Sequence, residues 1–194
     1  MSLDHHLIRD RVSEVLPGFL FIGNMLEARS EVILKRHKVT HVLTVSSNVD
    51  RTDTGLSIDH HLIIPEYDNI DDLLCQFSTT FKFIEDAKND KGAVLIHGAH
   101  GMSRAPTIAA AYLIKKESLT AKGALEVVRK ARPGIHISPP LLQQLDIYEC
   151  AYDSSPSDKV FASTKKGSSR HRRPLSFLRR DVTVAFAERI YMRE

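Results

Sequence analysis

The fold is decided by VLIHGAHGMSR, residues 94–104, which joins an apolar run to a glycine-containing loop that ends in an arginine. A helical run, residues 105–116, follows directly. A loop between a strand end and a helix start turns successive backbone N–H groups toward one point, which makes it a good binding site for phosphate. Gly101 permits the backbone conformation of such a turn, and Arg104 can hold two phosphate oxygens with its planar guanidinium group. We therefore predict a phosphate loop at residues 98–104, formed by Gly98, Ala99, His100, Gly101, Met102, Ser103 and Arg104.

Strands and helices alternate along the chain on both sides of this loop. The predicted strands are residues 19–22 (at a sheet edge), 40–45, 61–64 and 93–96. The predicted helices are residues 25–37, a helix that starts at Asp71 and Asp72, residues 105–116, a helix from Thr120 to just before Arg132, and a helix from Pro139 onward. This alternation predicts an α/β sandwich with a central, mostly parallel sheet flanked by helices.

Two apolar patterns indicate the core. Residues 107–114 are apolar on nearly all sides, which predicts a central, buried helix. A second stripe falls at spacings of three and four and is expected to face the core; it consists of Leu74, Phe77, Phe81, Ile84.

Length and composition predict one folded domain with two extensions. A chain of 194 residues can bury one core, and we expect an N-terminal extension (residues 1–13), a domain (14–153) and a C-terminal tail (154–194). The cysteines, Cys75 and Cys150, lie outside any metal-binding or CxxC spacing. We expect no signal peptide, no membrane span, no metal and no cofactor. A cytoplasmic or nuclear location follows as the expectation.

The C-terminal tail carries the positive charge of the chain. Residues 154–194 contain ten Lys and Arg against four Asp and Glu, whereas residues 1–153 carry a net charge of −3. One interpretation is a solvated, disordered extension, and another is a nuclear-import segment or a binding segment for an acidic partner. Ser176 follows Arg173 by three residues, a spacing typical of basophilic kinase targets. Phosphorylation there would remove up to about two positive charges locally.

Residues 14–152 resemble a small, atypical dual-specificity phosphatase domain. The loop is similar to the family signature His-Cys-x-x-Gly-x-x-Arg, with Gly98 in the place of the cysteine. The other matching segments are residues 14–24 (the opening strand), 38–45 (the next strand), 64–68 (the loop of the general acid), and Arg132-Pro133, Ser138-Pro139 and 143–145 (the closing helix). The resemblance implies the protein tyrosine phosphatase-like fold.

The resemblance also implies how the site would work in an active relative. There, a cysteine thiolate attacks phosphorus, the arginine stabilises the transferring group, and an aspartic acid protonates the leaving oxygen. Arg104 is present, and Asp68 matches the general acid, but Gly98 has no side chain at the nucleophile position. Gly98 and Asp68 are therefore a vestigial nucleophile position and a vestigial general acid. His97 matches the family histidine, which we expect to be a hydrogen-bonded core residue.

Two further positions bear on activity. His100 lies inside the loop, and we expect its side chain to face solvent rather than replace the nucleophile. Ala105 stands where many relatives have Ser or Thr, whose hydroxyl helps the cysteine to leave in the second step. Loss of a covalent nucleophile costs about 10⁶ in rate even when the rest of a site is intact.

The chain is therefore similar to the STYX-type pseudophosphatases, which are inactive dual-specificity domains. This resemblance implies binding to proteins phosphorylated on Ser, Thr or Tyr, with competition against active phosphatases or a scaffolding role, and no nucleic-acid partner. Three alternatives stay open. The chain could be an active dual-specificity phosphatase whose cysteine was replaced by Gly98, a scaffold that uses another surface, or an unusual enzyme that uses water or His100.

Overall fold

The computed structural model describes residues 10–46, 56–63 and 73–153. Its strands are β1 (Ser13–Leu16), β2 (Leu20–Gly23), β3 (His41–Val45), β4 (Asp59–Ile63) and β5 (Val94–His97). Its helices are α1 (Met25–Ala28), α2 (Glu31–Arg36), α3 (Phe77–Asn89), α4 (Arg104–Glu117), α5 (Ala121–Ala131) and α6 (Pro139–Asp153), and a 3-10 turn (Leu74–Gln76) precedes α3.

The described strands form one mixed sheet with β5 at its centre. The strand order is β1-β2-β5-β3-β4, in which β1 and β2 are antiparallel and the other neighbours are parallel. Every residue of β5 is buried, as expected for a strand covered on both faces. The predicted fold class, a mostly parallel sheet flanked by helices, is confirmed.

The strand predicted at residues 19–22 is not an edge strand. It corresponds to β2, whose residues are all buried and which lies between β1 and β5. The edge is β1, which the sequence analysis did not identify as a separate strand. A tight turn joins the two strands, because Gly18 adopts a φ of 65° and the Phe19 N–H donates to the Leu16 carbonyl at 3.1 Å.

The helix predicted over residues 25–37 is divided into α1 and α2. Arg29 ends α1, and Ser30 is extended, with φ −93° and ψ 105°. The Ser30 hydroxyl accepts a hydrogen bond from the Ile33 N–H at 3.4 Å and so caps α2. Serine side chains compete in this way with continuous helical hydrogen bonding, which is the physical reason for the break.

The helices that pack on the sheet match the predicted core. Residues 105–114 of α4 are all buried, and α4 contacts β2, β3 and β5. In the predicted stripe, Phe77 and Ile84 are buried, whereas Leu74 and Phe81 are half-buried. Another buried cluster contains Phe21, Val42 and Leu95, which are neighbours in the sheet register, and residues of α1 and α2.

Several predicted features lie outside the described residues. They are the general-acid segment with Asp68, the helix start at Asp71 and Asp72, and the tail at 154–194. The domain boundaries stay a prediction. Within the described ranges, no helix is long and apolar enough to cross a membrane.

Candidate functional site

The phosphate loop leaves the carboxyl end of the central strand and enters α4. His97 ends β5 and is in register with Gly23 of β2 on one side and Thr44 of β3 on the other. Arg104 begins α4, whose N-terminus carries the positive end of the helix dipole. The loop therefore lies at the carboxyl ends of the parallel strands, which is where ligands bind in open α/β folds.

Three carbonyl groups of the loop accept hydrogen bonds from outside β5 and α4, the strand and helix that flank the loop. The Ala99 carbonyl accepts from the Met25 N–H at 3.3 Å, and the Met102 carbonyl accepts from the His136 N–H at 2.8 Å. The His100 carbonyl accepts from Nη2 of Arg132 at 3.4 Å. The described peptide bonds are trans, so the N–H that follows each carbonyl points in the opposite direction.

The N–H groups of His100, Gly101 and Ser103 consequently point away from these scaffold donors. Together with the helix N-terminus, these N–H groups provide an environment that favours an anion. The structure thus gives a physical basis for the loop that the sequence predicts.

Gly101 is required for two reasons. Its φ is +66°, a conformation that L side chains rarely adopt, and a Cβ there would lie 2.1 Å from the Gly23 carbonyl oxygen. The sequence indicated the first reason but not the second. The close approach to Gly23 sets the distance between the loop and the end of β2.

Arg104 carries a buried guanidinium nitrogen that lacks a partner. Nη1 has no hydrogen-bond acceptor within the described part of the chain, although the side chain as a whole is half-buried. A buried donor without an acceptor costs about 1–3 kcal/mol, and more when the group is charged. An anion held by the loop N–H groups would provide an acceptor for this donor.

Gly98 occupies a buried position with little spare room. A Cβ built there would lie 3.2 Å from the Val45 carbonyl oxygen, which is a tight but not prohibitive contact. Gly98 is not among the glycines with positive φ, so an L side chain is compatible with its backbone. A side chain at this position therefore requires the Val45 carbonyl to move by a few tenths of an ångström.

His97 is a neutral core histidine, in agreement with the expectation. Its Nδ1 lies 3.4 Å from the Gly98 carbonyl, which can only accept, so Nδ1 carries the hydrogen. Nε2 then accepts from the Thr44 hydroxyl at 2.7 Å. Burial is the main cause that lowers the pKa of His97 to about 4, and the charges of His60 and Arg29 act in the same direction.

The remaining residues of the predicted site divide into surface and core positions. Ala99 and His100 are exposed, so His100 faces solvent as expected. Ala105 is buried under the loop at the start of α4. Asp68 lies outside the described residues, and its role as general acid stays a prediction.

Sequence reasoning gave no role to three charged residues beside the loop. Arg132 contacts it directly, Arg29 acts electrostatically on His97, and Glu27 is a fully buried carboxylate. Glu27 forms a capping box with Asn24, a pattern that is visible in the sequence as Asn-x-x-Glu. Arg132 has no comparable local signal, because its partners Arg11 and Ser13 lie 121 and 119 positions away.

A metal centre or a cavity elsewhere in the described residues would be an alternative site. The described residues contain no group of three or more His, Cys, Asp or Glu side chains that could hold a metal ion. A polar cavity of about 250 Å³ lies near His41, Asp59 and Lys91, at the amino ends of the parallel strands. The phosphate loop lies at the other, carboxyl ends of these strands, so the cavity does not contribute to the phosphate site.

Comparison with known proteins assigns the family. Residues 7–151 match the model of the dual specificity phosphatase catalytic domain. The chain belongs to the dual-specificity phosphatase family. It is 36% identical over 152 residues to mouse dual specificity protein phosphatase 19, covering 75% of this chain and 66% of that protein. It is 35% identical over 139 residues to dual specificity protein phosphatase 1B of Arabidopsis thaliana, covering 71% of this chain and 81% of the relative.

Solved structures agree with this assignment. The crystal structure of human DUSP28 is similar, with a TM-score of 0.69 and 28% sequence identity, and the match covers 76% of this chain and 98% of that one. The family and the fold of this chain are therefore those of a dual-specificity phosphatase domain, and the assignment of residues 98–104 as its signature loop, with Gly98 at the nucleophile position, stays a prediction.

Gly18 and Gly101, which both have positive φ, provide a matched pair for testing the close approach of Gly101 to Gly23. Gly18 has a φ of +65° and nothing within 4 Å of a built Cβ, whereas Gly101 has the same φ and a carbonyl oxygen at 2.1 Å. We expect Gly18→Ala to lower the free energy of unfolding by about 1–2 kcal/mol, the cost of the left-handed conformation alone. Gly101→Ala should lower it clearly more. Urea denaturation of both variants measures the difference, and equal losses would contradict the role of the Gly23 contact.

The stability of the domain should fall with acid because of His97. Its folded pKa of about 4 lies below the unfolded value of 6.5, so only the unfolded chain binds the proton between these values. Stability is therefore complete above pH 6.5 and is lost as the pH falls toward 4. We expect a loss of about 2 kcal/mol between pH 7 and pH 5 from this residue. Urea denaturation of the unmodified chain and of His97→Gln at pH 7 and pH 5 isolates the contribution of His97 to the free energy of unfolding. Identical pH dependence of that free energy in the two proteins would refute the prediction.

Proposed function

We propose that this chain is a pseudophosphatase that binds phosphorylated protein partners through residues 98–104. The observation that carries the proposal is the combination at the loop: the donors for an anion are present, and the nucleophile position, Gly98, has no side chain. The family suggests the substrate class, since the two relatives named above are dual specificity protein phosphatases. Competition with active phosphatases for phosphoproteins, or a scaffolding role in kinase signalling, follows from this proposal.

Binding and turnover depend on different parts of the loop. The inward N–H groups and Arg104 act on the phosphate oxygens, and none of them needs a side chain at position 98. The glycine also removes a thiolate whose negative charge would repel phosphate. Phosphate affinity is therefore expected to survive the loss of catalysis.

Neither histidine of the loop region is suited to replace the cysteine. Both ring nitrogens of His97 are engaged, one by Thr44 and one by the Gly98 carbonyl, and the ring is buried. The His100 side chain is exposed. These positions favour an inactive domain over an enzyme that uses His100 or another unusual nucleophile.

The proposal also includes a role for the basic C-terminal tail. Residues 154–194 would act as a nuclear-import or partner-binding segment, with Ser176 as a kinase target, and the protein would work in the cytoplasm or nucleus.

Phosphate binding is tested by titrating a phosphopeptide and its unphosphorylated form into the unmodified chain. We expect the phosphorylated form alone to bind, and inorganic phosphate at millimolar concentration to displace it. Arg104→Lys should weaken binding at least about tenfold, because an ammonium group lacks the planar fork that holds two oxygens. Arg129→Lys, at an exposed position on α5, is the matched control and should leave the affinity unchanged. Equal affinity for both peptides would favour the scaffold that uses another surface.

Turnover is tested with an aryl phosphate. We expect no detectable hydrolysis by the unmodified chain and measurable hydrolysis after Gly98→Cys, since the loop donors and Arg104 would hold the thiol as a thiolate near neutral pH. Gly98→Ser, which introduces a side chain of similar size without a thiol, should stay inactive. Adding Ala105→Ser to Gly98→Cys should speed the breakdown of the phosphoenzyme, and the rate should fall as the pH rises through the pKa of the general acid.

Two results would change the interpretation of this experiment. Robust turnover by the unmodified chain would overturn the pseudophosphatase proposal. A Gly98→Cys variant that folds but shows no hydrolysis would mean that the site has lost more than its nucleophile. Either the Val45 carbonyl does not move enough to make room for the new side chain, or the general acid no longer acts.

A further inference from the structure

The His100–Gly101 peptide of the phosphate loop is held by the side chain of a residue distant in sequence. The Ala99 and Met102 carbonyls accept from backbone N–H groups, which are present whatever the side chain. The His100 carbonyl accepts from the guanidinium of Arg132 instead. The direction of the Gly101 N–H, which belongs to the same peptide, therefore depends on the identity of residue 132.

Arg132 is itself held in a defined position. It ends α5, where its backbone N–H donates to the Val128 carbonyl at 2.9 Å. Its Nη1 donates to the Arg11 carbonyl at 2.9 Å and to the Ser13 hydroxyl at 3.1 Å. The guanidinium fork thus connects the end of α5, the N-terminal edge strand and the loop, a geometry that a lysine cannot reproduce.

A buried carboxylate balances the charge of this arginine. Glu27 is fully buried, and it accepts from the Arg11 N–H at 2.9 Å and the Asn24 N–H at 2.6 Å. Burial lowers the pKa of Arg132, and Glu27 opposes that effect. Arginine stays protonated under these conditions, so the cation remains fixed against the loop.

The guanidinium group of Arg132 also lies close to Gly101 of the loop. A Cβ built at Gly101 would be 3.4 Å from Nη2 of Arg132 and 2.1 Å from the Gly23 carbonyl oxygen. The His100-Gly101 peptide is thus bordered by the end of β2 and by the guanidinium group. Both contacts act on the scaffold side, away from the side into which the loop N–H groups point.

We propose that Arg132 is a positioning residue of the phosphate loop, which holds the His100 carbonyl outward and thereby directs the Gly101 N–H at the bound anion. This role rests on the phosphate-binding function proposed above. Its test, however, uses a reporter that does not require phosphate binding.

The reporter is the thiol introduced by Gly98→Cys. Inward N–H groups stabilise a thiolate, so the pKa of this thiol measures how well they are aimed. The rate of alkylation by iodoacetamide is followed against pH in three proteins: Gly98→Cys alone, with Arg132→Lys, and with Arg129→Lys. Arg132→Lys keeps the positive charge and removes the fork, and Arg129→Lys is the matched control on the same helix.

We expect Arg132→Lys to raise the pKa of the thiol and to slow alkylation below that pKa about tenfold, the effect of one charge-assisted hydrogen bond. Arg129→Lys should leave both unchanged. Ser13→Ala removes one acceptor that orients Arg132 and that lies outside the loop. This substitution should raise the pKa of the thiol at position 98 by a smaller amount than Arg132→Lys does. In the unmodified background, Arg132→Lys should weaken phosphate binding in parallel.

Each outcome decides one question. Equal thiol pKa values in folded Arg132→Lys and Arg129→Lys proteins would overturn the positioning role. If Arg132→Lys does not fold, an unchanged pKa in Ser13→Ala overturns it instead. Failure of every protein to bind phosphate would reject the proposed function, while the thiol measurement would still decide the role of Arg132.

Discussion

The close approach of Gly101 to the carbonyl oxygen of Gly23 is the constraint on which the site depends. Because no side chain separates them, the loop folds back directly over the end of β2. This brings the start of α1 to the loop, so that the Met25 N–H reaches the Ala99 carbonyl. Gly23 is constrained as well, since a Cβ there would lie 2.9 Å from Oε2 of Glu27. Two glycines and one buried carboxylate therefore fix the spacing of strand, helix and loop.

The electrostatic environment of the loop favours negative charge. Arg29, Arg104 and Arg132 each have a buried guanidinium nitrogen without a hydrogen-bond partner in the described ranges. Glu27 acts electrostatically on one of these cations, Arg132. In an active relative, the thiolate would offset part of this charge. Gly98 supplies no such negative charge, so under the proposed function the requirements for holding phosphate are separate from those for cleaving its ester.

The central part of the structure could be predicted because its signals are local. The apolar run before His97, the glycine of the turn and the apolar helix after Arg104 lie within about twenty consecutive residues. The edge strand β1 was missed because only Val15 is fully buried in it. The break between α1 and α2 depends on one serine hydroxyl, which a helical pattern does not reveal. The contacts of Arg132 join distant parts of the chain, so no window of sequence contains them.

These distant contacts also affect the order in which the protein can fold. Of the three donors to the loop carbonyls that come from outside β5 and α4, two belong to Arg132 and His136, at and after the end of α5, and Arg132 is oriented by residues at the start of the domain. Contacts of such high sequence separation cost more chain entropy to form than local contacts do. A nascent chain that emerges only through α4 has the loop sequence but lacks these donors. The loop should therefore acquire its geometry only when the C-terminal part of the domain has docked, and under the proposed function a partially folded protein would not sequester phosphorylated partners.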